Sequence, residues 1–307
     1  MLVVAKPVGP TSHDIVGLVR RLSATKRVGH GGTLDPFAGG VLPIFLGKAT
    51  RLVEYHLGDR KRYRATVCFG ASSTTDDLEG ELSPVSGPAP SPDDLARALG
   101  AFRGPISQRP PDFSAIKVAG RRAYAMARAG QAVELAARDV TIEEIDIVSW
   151  DGADPDRPVA VLDVECSAGT YIRSLARDLG AAVGSAAYLG ALTRTASGPF
   201  RLDAATDVES IRAAAADDPA ALERMLLPMD AGLDGFPRLS VDAASVAALV
   251  RGQMTKLPAG VEALPEGPIL VVDDSDRLIA VATLVDGRLA PDKVLVDLVD
   301  AVPSVPG

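Results

Sequence analysis

The fourteen residues from Gly29 to Leu42 contain five glycines and one proline. That density excludes a helix and reads as a loop whose backbone a large ligand can approach closely. One carboxylate, Asp35, sits inside it, with no cysteine, serine or second acid. Pro36 biases Asp35 toward extended geometry. By itself Leu-Asp-Pro is an ordinary turn sequence. Its surroundings change the reading: Lys48, Arg51, Arg60, Lys61, Arg62 and Arg64 follow it, with Tyr63 among the last of them. A lone acid near a basic, aromatic-bearing strand points to chemistry on a nucleic acid.

The net charge of −8 over 307 residues argues against a polyanionic partner until its distribution is read. Residues 1–64 carry 11 Lys and Arg against 4 Asp and Glu, a net of +7; residues 65–200 have a net of −6 and residues 201–307 a net of −9. A basic amino-terminal segment on an acidic chain can focus a polyanion on one face. A second basic stretch, residues 103–128, sets Arg103, Arg109, Lys117, Arg121, Arg122 and Arg128 against one acid, Asp112. Its bland reading is a solvated surface loop entering a helix that ends near Gly130, but charge of this sign runs against the acidic background and argues for more than that.

With 47% hydrophobic and 23% charged residues, the composition is globular. The length suggests two domains. Cys68 and Cys166 sit in alternating apolar runs without CxxC spacing, so they read as buried free thiols, and the cytosol as the compartment. Met1 leads straight into the strand-like Leu2-Val3-Val4, which is not a signal-peptide pattern. No apolar run approaches the roughly 20 residues of a membrane helix. His30 has no second ligand at a usual metal spacing.

Thr11-Ser12-His13-Asp14 and Ser91-Pro92-Asp93-Asp94 read as capped helix starts. Arg62–Phe69 alternates Tyr63, Ala65, Val67 and Phe69 against Arg62, Arg64, Thr66 and Cys68, a strand with a basic edge. Residues 71–90 read as a loop. Val133–Trp150, Pro158–Cys166 and Tyr188–Thr195 read as strands. Gly169-Thr170-Tyr171 opens a helix expected to stop at Gly180. Thr206–Leu227 is mostly helical, and a Pro/Gly linker follows. Residues 238–300 predict a helix over Val241–Val250 and strands near Ile269–Val272, Leu278–Leu284 and Val294–Val299.

Five separated motifs, in order, resemble the TruB type of bacterial tRNA pseudouridine-55 synthases. They are Lys6-Pro7-x-Gly9-x-Thr11-Ser12; the glycine loop with Asp35; Lys61-x-Tyr63; Ser114-Ala115-Ile116-Lys117-Val118-x-Gly120-x-Arg122-x-Tyr124; and Gly169-Thr170-Tyr171-Ile172-Arg173. The resemblance spans nearly the whole chain. It implies an α+β pseudouridine-synthase fold: a mixed, largely antiparallel sheet with helices on its faces and a central cleft holding Asp35. It further implies a catalytic domain over 1–236, with a tRNA-gripping insert near 103–130, and a small β-rich, PUA-like RNA-binding domain over 237–307.

The implied reaction isomerises a uridine in the tRNA T loop, position 55, without metal or cofactor. The C1′–N1 glycosidic bond is cleaved, and the base rotates and rejoins through C5. By resemblance Asp35 is the essential aspartate and Arg173 its partner. His30, Tyr63, Tyr171 and Leu192 fall at the flipped uridine or its neighbours. Lys6, Arg62, Lys117, Arg121 and Arg122 are expected on the RNA backbone; for Lys6 the alternatives are positioning the loop or packing beside Pro7. Ala5, Tyr188 and Thr193 depart from the family pattern.

The chemistry is consistent with one acid. Hydrolases of glycosidic bonds place two carboxylates at the anomeric centre. A single one suits a reaction that keeps its leaving base. Two routes stay open: attack by Asp35 on C1′, or abstraction of a sugar proton through a glycal. Tyr63 is the candidate base for the C5 proton. Three other functions compete: a guide-RNA-dependent synthase, disfavoured by the 103–128 segment; a tRNA-folding factor; and a nucleoside hydrolase or phosphorylase, disfavoured by the lack of an acid cluster or phosphate loop. The expected partner is tRNA, with no guide RNA and no membrane; a cytoplasmic monomer is expected.

Overall fold

Helices begin where the sequence supplies caps. Thr11 and Ser91 each accept from the backbone N–H of the acid three residues on, and Asp14 and Asp94 accept in return from the cap residues' N–H. These capping boxes open the helices Ser12–Leu22 and Pro92–Leu99, as the sequence predicts. The structure, a computed structural model, describes residues 1–297 except 86–88, 115, 119–120, 123–125, 127–130, 132–134 and 262–263.

Strands run in chain order as β1 (Leu2–Lys6), β2 (Val28–His30), β3 (Ala38–Leu46), β4 (Lys61–Phe69), β5 (Ala71–Ser73), β6 (Leu82–Pro84), β7 (Gly104–Gln108), β8 (Lys117–Val118), β9 (Arg121–Arg122), β10 (Arg138–Asp151), β11 (Val159–Cys166), β12 (Ala187–Ser197), β13 (Phe200–Arg201) and β14 (Thr206–Asp207). The main sheet is ordered β14-β1-β3-β12-β4-β11-β10-β7, with β2 on β3 and β13 on β12. It is the expected mixed sheet: β1–β14 and β3–β12 are parallel and the other described pairings antiparallel. One core packs Ala65, Val67, Leu162 and Leu189 of its central strands against Leu175 and Leu179 of the helix Ile172–Ala182 and Leu95 of the helix Pro92–Leu99. A second packs Leu2, Val4, Leu42 and Ile44 against Ile15 and Val19 of the first helix and Ile211 of the helix Val208–Asp217.

Several local expectations shift. The glycine loop is shorter than predicted, because Gly39 and Gly40 belong to β3. β4 is an interior strand, not a basic edge; its arginines sit on one face, where Arg64 pairs with Asp163 of β11 at 2.8 Å and Arg62 with Glu165. The helix expected to stop at Gly180 continues to Ala182 and ends before Gly184, whose φ is +72°. Gly180 serves close packing instead: a Cβ there would lie 2.3 Å from the Ala187 nitrogen of β12. Residues 71–90 contain the β5–β6 hairpin, and the strand expected from Val133 begins at Arg138. The stretch 206–227 is broken at Asp218-Pro219 into Val208–Asp217 and Pro219–Arg224, since proline has no N–H to continue the ladder.

A second sheet holds β15 (Arg238–Ser240), β16 (Thr255–Lys256), β17 (Ile269–Val272), β18 (Leu278–Val285) and β19 (Arg288–Val294), with the helix Ala243–Val250. The last strand precedes the predicted Val294–Val299, whose end lies outside the described residues. Asp286 and Gly287, with φ of +47° and +70°, form a two-residue turn that pairs β18 with β19 directly.

This sheet packs on residues 47–57. Leu52 and Leu233 join Leu270, Leu278 and Leu295 in one buried cluster, Lys48 pairs with Asp297 at 2.7 Å, and the Tyr55 hydroxyl donates to Asp292 at 3.0 Å. Deleting residues 237–307 therefore uncovers Leu52 and Leu233, at about 1.5–3 kcal/mol for each leucine fully exposed. The truncated protein is expected to melt below the full chain. An unchanged midpoint in a thermal melt would show that the shared cluster adds no stability.

Candidate active site

Three buried side chains from three elements hold the Asp35 loop. Ser12 Oγ donates to the Leu34 carbonyl at 2.9 Å and accepts from its N–H at 2.8 Å. The Lys6 ammonium, 2% exposed, donates to the carbonyls of Ala38 at 2.7 Å, Pro7 at 3.0 Å and Pro36 at 3.5 Å. Arg194 of β12, 1% exposed, donates from Nε to Val41 at 2.7 Å, from Nη2 to Gly32 at 3.1 Å and from Nη1 to Thr33 at 3.4 Å. Gly40 permits this approach: its φ is +107°, and a Cβ would stand 2.2 Å from the Arg194 carbonyl oxygen. Charges cut off from water need such dipoles to remain ionised. Burial lowers the Lys6 pKa to about 8, against the pull of Asp35. The phosphate contact expected of Lys6 is thus corrected: its ammonium faces inward and fixes the loop.

Asp35 opens onto a cavity of about 450 Å³, also lined by Lys61, Tyr63, Ser114, Tyr171, Arg173, Leu192 and Arg194. Ligand sites commonly enclose about 300–1,000 Å³. Asp35 is the one carboxylate among its described lining residues. Arg173, in the first turn of its helix and 6% exposed, places Nε 3.0 Å from Asp35 Oδ2. Its Nη1 reaches Asp77 Oδ2 at 3.5 Å and the Thr75 carbonyl at 3.2 Å; its Nη2 donates to the Phe113 carbonyl at 2.9 Å. Every guanidinium nitrogen is engaged, so the arginine cannot swing away without breaking buried bonds. Burial raises the Asp35 carboxyl above the ordinary carboxylate range; Arg173 opposes the rise and Asp77 adds to it.

Tyr63 and Leu192 form an aromatic and aliphatic wall, and burial raises the Tyr63 phenol's pKa while Arg194 opposes it. Tyr171 caps the helix that carries Arg173. Its N–H donates to Gln108 Oε1 at 2.8 Å and its carbonyl accepts from Gln108 Nε2 at 3.1 Å, a two-point clamp by a side chain 2% exposed. His30 ends β2 outside the cavity lining, with its Nδ1 buried and unpartnered, and burial lowers its pKa.

Arg62, expected on the RNA backbone, lies outside the Asp35 cavity and is exposed. Strand alternation puts it on the opposite face from Tyr63, against Glu165. Lys117, Arg121 and Arg122 contribute backbone to the β8–β9 pair. Their side chains, with the whole of Tyr124 and Arg128 and the expected helix end at Gly130, lie outside the described residues. Cys166 is buried with its thiol pushed up to about 11; Cys68 is half-buried, and both are free. Among the described residues no group of three or more His, Cys, Asp or Glu could hold a metal ion.

Sequence reasoning missed Arg194, Asp77 and Gln108. Arg194 left a signal: it lies two residues after Leu192, so the inward face of an alternating strand carries a charge. Asp77, within Thr74-Thr75-Asp76-Asp77-Leu78, looks like any polar loop residue, and Gln108 like a strand end.

The chain matches the TruB family pseudouridylate synthase N-terminal domain over residues 20–172 and the tRNA pseudouridylate synthase B C-terminal domain over residues 173–234. It is 41% identical over 296 residues to the tRNA pseudouridine synthase B of Bradyrhizobium diazoefficiens, covering 95% of this chain and 84% of the relative. The same enzyme of Mycobacteroides abscessus is 44% identical over 282 residues, covering 91% and 90%. That of Arthrobacter sp. is 50% identical over 216 residues, covering 69% and 70%. Among solved structures, a Cbf5-Nop10-Gar1 complex aligns with a TM-score of 0.70 at 25% identity, covering 97% of this chain and 86% of the matched chain. The chain belongs to the TruB family of pseudouridylate synthases. It is an isomerase.

Proposed function

We propose that this protein converts a uridine in the T loop of tRNA, at position 55, to pseudouridine without a guide RNA, with Asp35 as its essential carboxylate. The observation that carries the reading is Asp35, 3.0 Å from buried Arg173, the one acid among the described residues lining a cavity walled by Tyr63 and Leu192. Relatives named tRNA pseudouridine synthase B, 41–50% identical, support the substrate class.

A uridine inside a folded loop must leave its stack before C1′ is accessible. Tyr63 and Leu192 receive the base, and Tyr171 and His30 meet it or its neighbours. Asp35 then acts at the sugar. In one route its oxygen bonds to C1′ as C1′–N1 breaks; the freed uracil turns, C5 displaces the carboxylate, and the C5 proton leaves. In the other Asp35 takes the C2′ proton as C1′–N1 breaks to leave a glycal; C5 of the freed base then bonds to C1′ as the proton returns to C2′. In both routes the proton lost from C5 is matched by one gained at N1. Neither route needs a second acid, a metal or a cofactor.

Residues 1–236 carry the chemistry, with Lys117, Arg121 and Arg122 of the insert on the RNA backbone. Residues 237–307 form a PUA-like domain that adds affinity outside the T loop. The protein works as a cytoplasmic monomer. Among the described residues no helix is long and apolar enough to cross a membrane.

The test is an unmodified tRNA transcript, incubated with the protein alone and mapped for pseudouridine. T-loop product is expected. Product only after a guide RNA is added would favour the guide-dependent class, and tight binding without product a folding factor. Tyr63→Phe keeps the ring, so tRNA affinity is expected to hold while product formation falls about 10²- to 10⁴-fold, the usual worth of a positioned proton-transfer group. Full activity of the phenylalanine variant, with loss in Tyr63→Leu, would reduce Tyr63 to a stacking wall.

A further inference from the structure

Arg173 is not the only arginine of its helix that spans two segments. One turn later on the same face, Arg177 repeats the pattern. Its Nη1 pairs with Asp76 Oδ2 at 2.8 Å, its Nη2 donates to the Arg109 carbonyl at 2.9 Å, and its Nε donates to Asp178 at 2.9 Å. Arg173 bridges the same segments: Asp77 and the Thr75 carbonyl on one side, the Phe113 carbonyl on the other. The two guanidiniums are rungs between the 73–80 loop and residues 108–114, the root from which the basic insert departs.

Backbone strain at Asp76 serves this arrangement. Its φ is +60°, in the left-handed region that side-chain-bearing residues seldom enter. Consecutive side chains of an extended segment point to opposite faces. The left-handed turn lets two successive carboxylates, Asp76 and Asp77, meet two arginines one helical turn apart. The loop is also anchored to the sheet, by Asp76 and Leu78 exchanging backbone bonds with Leu189 of β12 at 3.0 Å each. Neither Arg177 nor Asp76 lines the Asp35 cavity.

We infer that Arg177 and Asp76 form a second clamp, which sets the root of the insert against the Asp35–Arg173 pair so that tRNA held by the insert is placed correctly for the carboxylate. The inference rests on the tRNA function proposed above. Arg177 is a positioning residue. It fixes the Arg109 carbonyl, four residues before the Phe113 carbonyl that holds Arg173. Without it the root is free to shift, and Arg173 loses a fixed partner on the side away from Asp35.

The test compares the full-length parent with Arg177→Met, Asp76→Asn and the double variant, after thermal melts confirm folding. Single-turnover rate constants on an unmodified tRNA transcript are measured at saturating enzyme across the acid limb of the pH profile, with tRNA affinity measured separately. Each single variant is expected to slow the saturated rate roughly 3- to 30-fold, the range of coupling through packed networks. The double variant should be no slower than the worse single, because the two residues act as one clamp. The acid midpoint should move upward in Arg177→Met. The groups that face Asp35 there, Arg173, Asp77 and Lys6, are unchanged in kind, and the variant loosens the first of them. A parental saturated rate and midpoint, or a loss confined to affinity, would overturn the inference. So would independent, multiplying effects of the two substitutions. If Arg177→Met fails to fold, Asp76→Asn, which keeps size and hydrogen bonding, decides by the same readouts. A parent that makes no pseudouridine would instead defeat the proposed function itself.

Discussion

Asp35→Asn is expected to yield a folded protein that binds tRNA and makes no pseudouridine. The substitution keeps size and removes both charge and nucleophilicity. The carboxyl's elevated pKa adds a second expectation. Its folded-state pKa lies above the unfolded value of about 3.9. The fold therefore favours the protonated acid; that stability is fully present below the unfolded pKa and is lost as pH rises through the folded one. At neutral pH the ionised Asp35 is a net strain on the fold. The asparagine variant should melt no lower than the parent at neutral pH, and its advantage should close as pH falls below the ordinary carboxylate range. Single-turnover assays and melts across pH check both halves. Turnover within tenfold of the parent would remove Asp35 from the centre of the chemistry.

Arg173→Met is expected to damage fold and reaction together. It leaves Asp77, 3% exposed, without the guanidinium it faces, and opening a buried ion pair on one side costs about 3–5 kcal/mol. That is a large share of the 5–15 kcal/mol typical of a folded domain. The acid limb of the reaction should also move to higher pH, because the cation that opposes protonation of Asp35 has gone. Adding Asp77→Asn should restore part of the melting temperature, since the charge buried at Asp77 is then removed, but not turnover, since Asp35 still lacks its cation. Recovery of turnover in that double variant would make Arg173 only a scaffold for Asp77.

Features set by neighbouring residues were legible in the sequence. Both capping boxes, the alternation of β4 and the lone acid among glycines are written within a few positions of one another. So was the Asp35–Arg173 pairing, through motif resemblance. What depended on distant contacts was not. For Lys6 the sequence leaves phosphate contact, loop positioning and packing beside Pro7 open, and carbonyls thirty and more residues away decide for the loop. Arg194 reaches back more than 150 residues to the Asp35 loop, and Gln108 reaches 63 forward to Tyr171. Gly180 was misread because a glycine near a helix end suits both a left-handed stop and a close helix–strand approach; only the position of Ala187 distinguishes them. The Asp286-Gly287 turn was present in the sequence, and reading it would have placed the final strand correctly.

Lys6, Arg173 and Arg194 crowd positive charge around the Asp35 loop at 2%, 6% and 1% exposure. Mobile ions screen exposed charges over a Debye length of about 8 Å at physiological ionic strength, and buried ones far less. The field at the Asp35 carboxylate is thus carried by charges that solvent ions do not reach, whereas under the proposed function tRNA is drawn in by charges that they do. Capture and chemistry should separate on an ionic-strength axis. tRNA affinity should fall with a log–log slope of roughly −0.7 to −0.9 per phosphate neutralised, while the single-turnover rate at saturating enzyme stays nearly level. Parallel decline of both would mean that the catalytic field depends on exposed charge after all.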